Sequence, residues 1–168
     1  MSIPAITIWQ PYASLIAVGA KRFETRDWPP WVRYVGSRFA IHASTKRPTP
    51  ASLYGLTVRE TQPMELALGV PLAGFQRLPL GAVVATARLA GAYQVGRYHD
   101  AQRTATIAQA LRGSPALDSI RLMEGEELFG DYSDGRWLWA FADVKPCTPA
   151  IPAKGAQGIW QWDGKDAA

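Results

Sequence analysis

The sequence predicts a β-dominated α+β fold, a small barrel with a short helix after its first strand and with helical insertions. Thirteen prolines and fifteen glycines are spread along the 168 residues, which favours many short strands and turns over long helices. Several segments alternate apolar and polar residues with a period of two, as half-buried strands do. Apolar residues make up 48% and charged residues 19% of the chain, which indicates a globular protein with a packed core.

The length is that of one ordinary domain, so we expect a single domain over residues 1–168. Cys147 is the one cysteine, which excludes an internal disulfide and suits a reducing cytosol. No run of eighteen apolar residues occurs, and the N-terminus lacks a basic region followed by an apolar one. We therefore expect a cytoplasmic protein without membrane association.

The first third of the chain predicts three strands and a helix. Residues 3–8 are typical of a strand, and residues 10–19 of a short helix that begins around Pro11 and stops at Gly19. Strands are predicted around 21–27 and 36–43, the second one half-buried because apolar residues alternate along it. Residues 49–70 predict one or two helices, broken at Pro63.

The remaining elements follow the same patterns. A long strand is predicted over 81–93, a further strand over 136–144 and a last short strand over 159–162. Between them, residues 100–112 predict a helix, with Asp100 as its cap and Gly113 beyond its end.

Charge is distributed unevenly. Residues 1–50 carry seven basic and two acidic side chains, whereas residues 118–135 carry six acidic and one basic. A basic end suggests a polyanionic partner, although chance sorting of solvated charges explains the same pattern. Seven tryptophans in so short a chain also suit the stacking of bases. We interpret the acidic stretch 118–134 as a solvated insertion.

Several motifs together resemble the ASCH (activating signal cointegrator homology) family. They are Trp9–Ile16, the pattern Gly19-x-Lys21-x-x-Glu24-x-Arg26-x-Trp28-x-Pro30, Ile41–Ser44, Gly81–Leu89 and Lys154-Gly155-x-Gln157-Gly158-Ile159-Trp160. The resemblance covers nearly the whole chain except about 49–78 and 97–133, which we interpret as insertions.

The resemblance implies a PUA-like mixed β-barrel of about five to six strands, with a cleft between the first helix and the barrel. It also implies binding of RNA or other nucleic acid. Some small relatives hydrolyse acylated nucleosides or cut RNA, so it leaves a hydrolase open as well.

The residues of the motif support a binding site in their own right. The helix start at Gln10–Ala13, which includes Pro11, offers free backbone N–H groups to a phosphate or a base carbonyl. In a regular strand Glu24 and Arg26 share a face with Trp28, and Lys21 points away unless a bulge turns it back.

On that face the Glu24 carboxylate can accept a hydrogen bond from an amine of a base. The alternatives are a structural Glu24–Arg26 ion pair, a solvated Lys21 and core packing of Trp28.

Other candidates lie outside the motif. Lys46 is a candidate for phosphate contact, Arg136 precedes a row of tryptophans, and Lys154 and Gln157 lie in a loop that could approach a ligand closely. For each of them an ordinary turn, a solvated charge or core packing is the alternative.

Metals, cofactors and two individual side chains complete the site predictions. The sequence shows no metal-ligand spacing, so we expect neither a metal nor a cofactor. We expect Trp9 to be buried and His42 to be a structural histidine.

Three functions remain in competition. The first is nucleic-acid binding, to RNA or DNA and possibly to a single or modified base. The second is a hydrolase of acylated nucleosides or RNA that uses Lys21 and Glu24. The hydrolase relatives carry a threonine where this chain has Glu24, which favours binding. The third is a protein-interaction adaptor that uses the insertions. No nucleophile elbow, zinc motif or Walker loop suggests another chemistry.

Overall fold

The computed structural model describes residues 2–48 and 57–164. This part of the chain contains the α-helices α1 (Tyr12–Ala17) and α2 (Val58–Leu68), together with several short 3₁₀ turns. The strands are β1 (Ile3–Ile8), β2 (Phe23–Arg26), β3 (Arg38–Ala43), β4 (Ala82–His99), β5 (Thr104–Ala110), β6 (Ser119–Arg121), β7 (Trp137–Pro152) and β8 (Ile159–Trp162). The predicted strands at 3–8 and 159–162 are confirmed, and β4 and β7 extend well beyond their predicted ends.

All eight strands belong to one mixed sheet. Their order is β2-β7-β4-β3-β1-β8, with β5 paired to β4 and β6 paired to β5. The β1–β3 pair is parallel, whereas β1–β8 and β2–β7 are antiparallel. The β-dominated α+β class is thus confirmed. Over the described residues the sheet has eight strands rather than five to six, and its path is not closed.

The backbone divides into two compact units. Of the described residues, unit 1 comprises 2–21, 38–48, 57–87 and 143–164, and unit 2 comprises 22–37 and 88–142. Lys21 therefore belongs to unit 1, whereas Glu24 and Arg26 belong to unit 2.

In unit 1 the parallel pair β1–β3 forms the centre of the core. Ile6 lies opposite Ile41 in this pair, and both side chains are buried. The predicted half-burial of the second strand is wrong, because Ala40 and His42 are buried as well as their apolar neighbours. β3 lies between two other strands of the sheet. Both faces of the sheet are covered at this strand, so side chains that point to either face are buried.

The helices of unit 1 differ from prediction in one respect. α1 stops as predicted, since Gly19 adopts a φ of +79° and the N–H groups of Ala20 and Lys21 donate to the carbonyl of Leu15. The predicted break at Pro63 is wrong, because α2 runs through it. A proline inside a helix removes one backbone hydrogen bond, but the helix continues through Pro63 to Leu68. The rest of that prediction, over 49–56, lies outside the described residues.

In unit 2 the predicted helix at 100–112 is wrong. Residues Thr104–Ala110 form β5, which pairs antiparallel with the end of β4. Arg103 takes a left-handed φ of +49° at the turn that joins the two strands. The β-branched Thr104 and Thr106 suit this hairpin, and pairing with β4 overrides the helical periodicity of the segment.

A buried carboxylate holds the start of unit 2 in place. Glu126 is fully buried and accepts hydrogen bonds from the backbone N–H of Arg22 at 2.6 Å and from its guanidinium at 2.7 and 3.0 Å. The N–H of Met123 donates to the same carboxylate at 3.2 Å. The interpretation of 118–134 as a solvated insertion is therefore wrong at Glu126, which is an internal ion-pair partner.

We expect Glu126→Ala to destabilise the protein by about 3 kcal/mol, because it leaves buried donors and the Arg22 charge without their partner. Urea unfolding followed by circular dichroism measures this change. Glu124→Ala, at an exposed acidic residue of the same segment, is the matched control and should alter stability by less than about 0.5 kcal/mol. Equal stabilities for the two variants would contradict a structural role for the Glu126 carboxylate.

Candidate functional site

An exposed tryptophan with a lysine over its ring lies in unit 1. The Trp9 side chain is 58% exposed, so its predicted burial is wrong. The Lys46 ammonium lies 3.9 Å from the centre of the Trp9 ring. Both residues follow the carboxyl ends of paired strands, since Ile8 and Ala43 are partners in the parallel β1–β3 pair. The pair therefore offers a flat ring and a cation together.

Gln10 is used to close the first turn of α1. Its side-chain N–H donates to the carbonyl of Pro79 at 2.8 Å, and its side-chain oxygen accepts from the N–H of Ser14 at 3.1 Å. The N–H of Ala13 donates to the carbonyl of Trp9 at 3.1 Å. The amide of Ala13, predicted to be free for a phosphate, is therefore already bonded, and so is that of Ser14.

Lys21 lies inside unit 1. Its residue exposure is 1%, which excludes a solvated lysine. Its ammonium is 5.8 Å from the centre of the Tyr12 ring, and the buried Pro11 directly precedes that tyrosine. Lysine is rarely buried so completely unless a partner or a function retains it.

In unit 2 the motif forms an ion pair. Arg26 Nε lies 2.9 Å from a carboxylate oxygen of Glu24. Glu24 is 7% exposed, whereas about a quarter of the Arg26 side chain remains accessible. This geometry is that of the structural pair considered above, and it also leaves a guanidinium edge within reach of solvent.

The tryptophans beside this pair pack edge to face. The Trp28 and Trp139 ring centres are 4.9 Å apart at an angle of 88°, and the indole N–H of Trp139 donates to the Trp28 carbonyl at 3.2 Å. Trp139 is fully buried and Trp28 is half-buried. Packing against the buried Trp139 therefore contributes to the half-burial of Trp28.

Arg136 is engaged by a carboxylate. Its Nε lies 3.3 Å from an oxygen of Asp131. Hydrogen bonds from Ser133 and, to a lesser extent, the Arg136 charge lower the pKa of Asp131 below its usual range. The charge of Arg136 thus pairs with a carboxylate in the loop between β6 and β7.

Lys154 and Gln157 are exposed in the loop between β7 and β8. The backbone of this loop was predicted to approach a ligand closely. At Gly155 it instead lies against the side chains of His42 and Thr7. A Cβ at Gly155 would overlap the His42 ring, lying 2.6 Å from its Nδ1, and would lie 2.9 Å from the Thr7 hydroxyl. Only glycine fits there without displacing the ring.

His42 lies in a structural environment. A ring nitrogen, Nε2, is 3.0 Å from the carbonyl of Ala153, and the edge of the ring meets Trp160 at 5.5 Å. The other ring nitrogen, Nδ1, is buried and has no hydrogen-bond partner among residues 2–48 and 57–164. Burial lowers the pKa of His42, and the hydrogen bond to Ala153 opposes this only in part.

A concave surface of another kind lies along α2. It has a volume of about 420 Å³ and is lined by Gln62, Glu65, Leu66, Gly69, Val70 and Pro71. It contains none of the predicted site residues and falls in the segment 49–78 that we interpret as an insertion.

The predicted residues thus form small groups within each unit. Unit 1 brings Lys46 to Trp9 and Lys21 to Tyr12, and unit 2 brings Arg26 to Glu24. Sequence reasoning missed Trp9. Its position near Lys46 follows from the parallel pairing of the strands that end at Ile8 and Ala43, which no local pattern of the sequence shows. Within residues 2–48 and 57–164, no three His, Cys, Asp or Glu side chains are placed to hold a metal ion.

The chain matches a protein-family model over most of its length. The family model described as the ASCH domain matches residues 6–141. A search of curated proteins finds no match. In the described part of the chain, no helix combines the length and the apolar character needed to cross a membrane.

His42 predicts a pH dependence of stability. An unfolded histidine titrates near pH ~6.5, whereas the folded pKa is lower, so the unfolded chain takes up a proton that the folded chain does not. Stability should therefore fall as the pH drops below about 6.5. Thermal unfolding measured between about pH 7.5 and 5.5 should show this fall in the wild type and a smaller one in His42→Gln.

His99→Gln is the control, because His99 is the other histidine and is exposed. Its pH profile should follow that of the wild type. A profile for His42→Gln that matches the wild type would contradict the assignment of this pH dependence to His42.

Proposed function

The chain belongs to the ASCH domain family, a PUA-like family often linked to RNA binding, and on this premise we propose that it binds nucleic acid. The observation that carries the proposal is the exposed Trp9 ring beside the Lys46 ammonium. The ligand is RNA or DNA, read at one or a few bases that are not paired. The expectation of a cleft beside the first helix stays a prediction.

The Trp9 ring has the properties of a stacking surface. More than half of it is exposed, although burying an indole would have stabilised the fold. Aromatic side chains of nucleic-acid-binding proteins stack on bases of any sequence, because every base has a π face. Trp9 is accordingly suited to hold an unpaired base.

Lys46 supplies the charge that a phosphate needs. The backbone N–H of Lys46 donates to the hydroxyl of Ser44 at 3.1 Å. Among the described residues no carboxylate pairs with the Lys46 ammonium. The exposed Arg47 follows it and donates to the carbonyl of Gln76. A cation that is not neutralised by the protein can displace counterions from a phosphate backbone.

In unit 2, Glu24 and Arg26 suit the recognition of a base edge. A carboxylate accepts from the exocyclic amine of cytosine or adenine, and a guanidinium donates to carbonyl and ring-nitrogen acceptors. Their ion pair holds both side chains in one orientation. Preorganised polar groups lose less entropy on binding than mobile ones.

We expect Trp9→Ala to weaken binding of single-stranded RNA by about 5- to 150-fold, through the loss of one stacked base. Lys46→Gln should reduce the slope of log affinity against log salt by about one. Fluorescence anisotropy at several salt concentrations measures both quantities.

Val18→Ala and Lys145→Gln are the matched controls, because they alter an exposed apolar residue and an exposed lysine of the same unit. Both should bind like the wild type. Failure of the wild-type protein to retain any RNA or DNA at low salt would end this proposal.

Hydrolysis of acylated nucleosides is the second candidate, and the burial of Lys21 favours it. A buried amine beside an aromatic ring is typical of lysines with a chemical role. On this hypothesis the Lys21 amine transfers a proton during attack of water on the acyl group, and the resemblance of the motif implies a role in the same reaction for Glu24.

If hydrolysis is the function, purified protein should release free cytidine from N4-acetylcytidine. Lys21→Gln and Glu24→Gln should each lower the rate by about 100-fold or more, while Lys145→Gln at an exposed lysine leaves it unchanged. Chromatography of the products follows the reaction. Inertness of the wild type towards a panel of acylated nucleosides and RNA would exclude this candidate.

A further inference from the structure

A second exposed aromatic group lies in unit 2, outside every motif discussed above. Trp31 is 54% exposed, and the neighbouring Val32 is also exposed. The Arg33 guanidinium carbon lies 4.2 Å from the centre of the Trp31 ring and 4.9 Å from that of Tyr34. An indole, a phenol ring and a guanidinium therefore form one group, which we call the Trp31 cluster.

The Trp31 cluster is held rigidly. The Tyr34 ring lies nearly parallel to the Trp31 ring, at 5.7 Å and 12°, and Tyr34 itself is buried. The N–H of Tyr34 donates to the carbonyl of Trp31 at 2.9 Å, which closes a 3₁₀ turn over Val32–Tyr34. Two prolines, Pro29 and Pro30, precede the indole and restrict the backbone. The ring is thus presented at little entropic cost to a ligand.

Arg33 carries a charge that carboxylates do not balance. Among the described residues its polar contact is the hydroxyl of Tyr34, at 3.3 Å, and no acidic side chain pairs with it. A guanidinium that rests on aromatic rings keeps its N–H groups for an anion. Phosphate is the anion whose oxygens match that planar fork best.

From these observations we propose that the Trp31 cluster is a stacking platform for single-stranded nucleic acid, with a base on Trp31 and its phosphate on Arg33. This inference rests on the proposed function and extends it to a second nucleotide-binding point. Single-stranded rather than duplex nucleic acid is the ligand, because paired and stacked bases hide the faces that an indole would cover. Protein ligands without phosphorylated tyrosine offer no comparable combination of a flat aromatic face and an adjoining phosphate.

The test compares two ligands of the same length and charge, a uridine octamer and an abasic ribose-phosphate octamer. We expect Trp31→Ala to weaken binding of the uridine octamer by about 5- to 150-fold and to leave binding of the abasic octamer nearly unchanged. Arg33→Gln should weaken binding of both ligands and reduce the salt slope by about one. Anisotropy titration measures each affinity.

The control variants alter neighbouring groups of unit 2 without touching the platform. Val32→Ala removes exposed apolar surface from the same turn, and Arg112→Gln removes an exposed arginine charge. Both should bind like the wild type. Trp31→Phe keeps an aromatic face and should retain most of the affinity, and circular dichroism shows that each variant is folded.

Two results would contradict the stacking platform while leaving the proposed nucleic-acid binding intact. One is binding of the uridine octamer by Trp31→Ala within about twofold of the wild type, well below the expected stacking loss. The other is an equal loss on the abasic octamer, which would mean that the ring does not hold a base. If the wild type binds neither octamer nor any longer strand, the proposed function fails and the platform fails with it.

Discussion

Unit 2 depends on the burial of one carboxylate. Glu126 is fully removed from water, which is costly for a charged group unless it is paired and hydrogen-bonded. Donors from Arg22 and Met123 surround it. The carbonyl of Arg22 in turn accepts from the N–H of Phe141 in β7, so this single group links the start of β2, the segment after β6 and β7. The Glu24–Arg26 pair lies on the strand that this link holds in place.

The sequence predicts an element correctly where its position depends on neighbouring residues alone. The ends of β1 and β8 followed from alternation, and the stop of α1 followed from Gly19. The helix predicted at 100–112 failed because apolar spacing is compatible with either period in so short a segment, and pairing with β4 decided the outcome. Burial of Glu126 had no local signal, since its partner Arg22 is 104 positions away.

The sequence predicts which residues belong to the candidate site better than it predicts how their side chains are arranged. The family motif identified Lys21, Glu24 and Arg26, which the structure places as a buried amine and an ion pair. Gln10 was identified as a ligand-binding residue, yet its amide closes the first turn of α1. A side chain that satisfies backbone donors cannot be distinguished from one that binds a ligand by residue type alone. The exposure of Trp9 depends on where paired strands end, which is a tertiary property.

The cations beside the exposed rings have a consequence for the behaviour of the protein at high concentration. Exposed indoles are sites at which copies of a protein associate. Here Lys46 lies over Trp9 and Arg33 lies over Trp31, so two copies that meet through the same ring bring like charges together. Such an encounter is electrostatically unfavourable, whereas an anionic surface meets no such barrier. The same geometry that keeps these rings accessible therefore discourages the protein from aggregating through them.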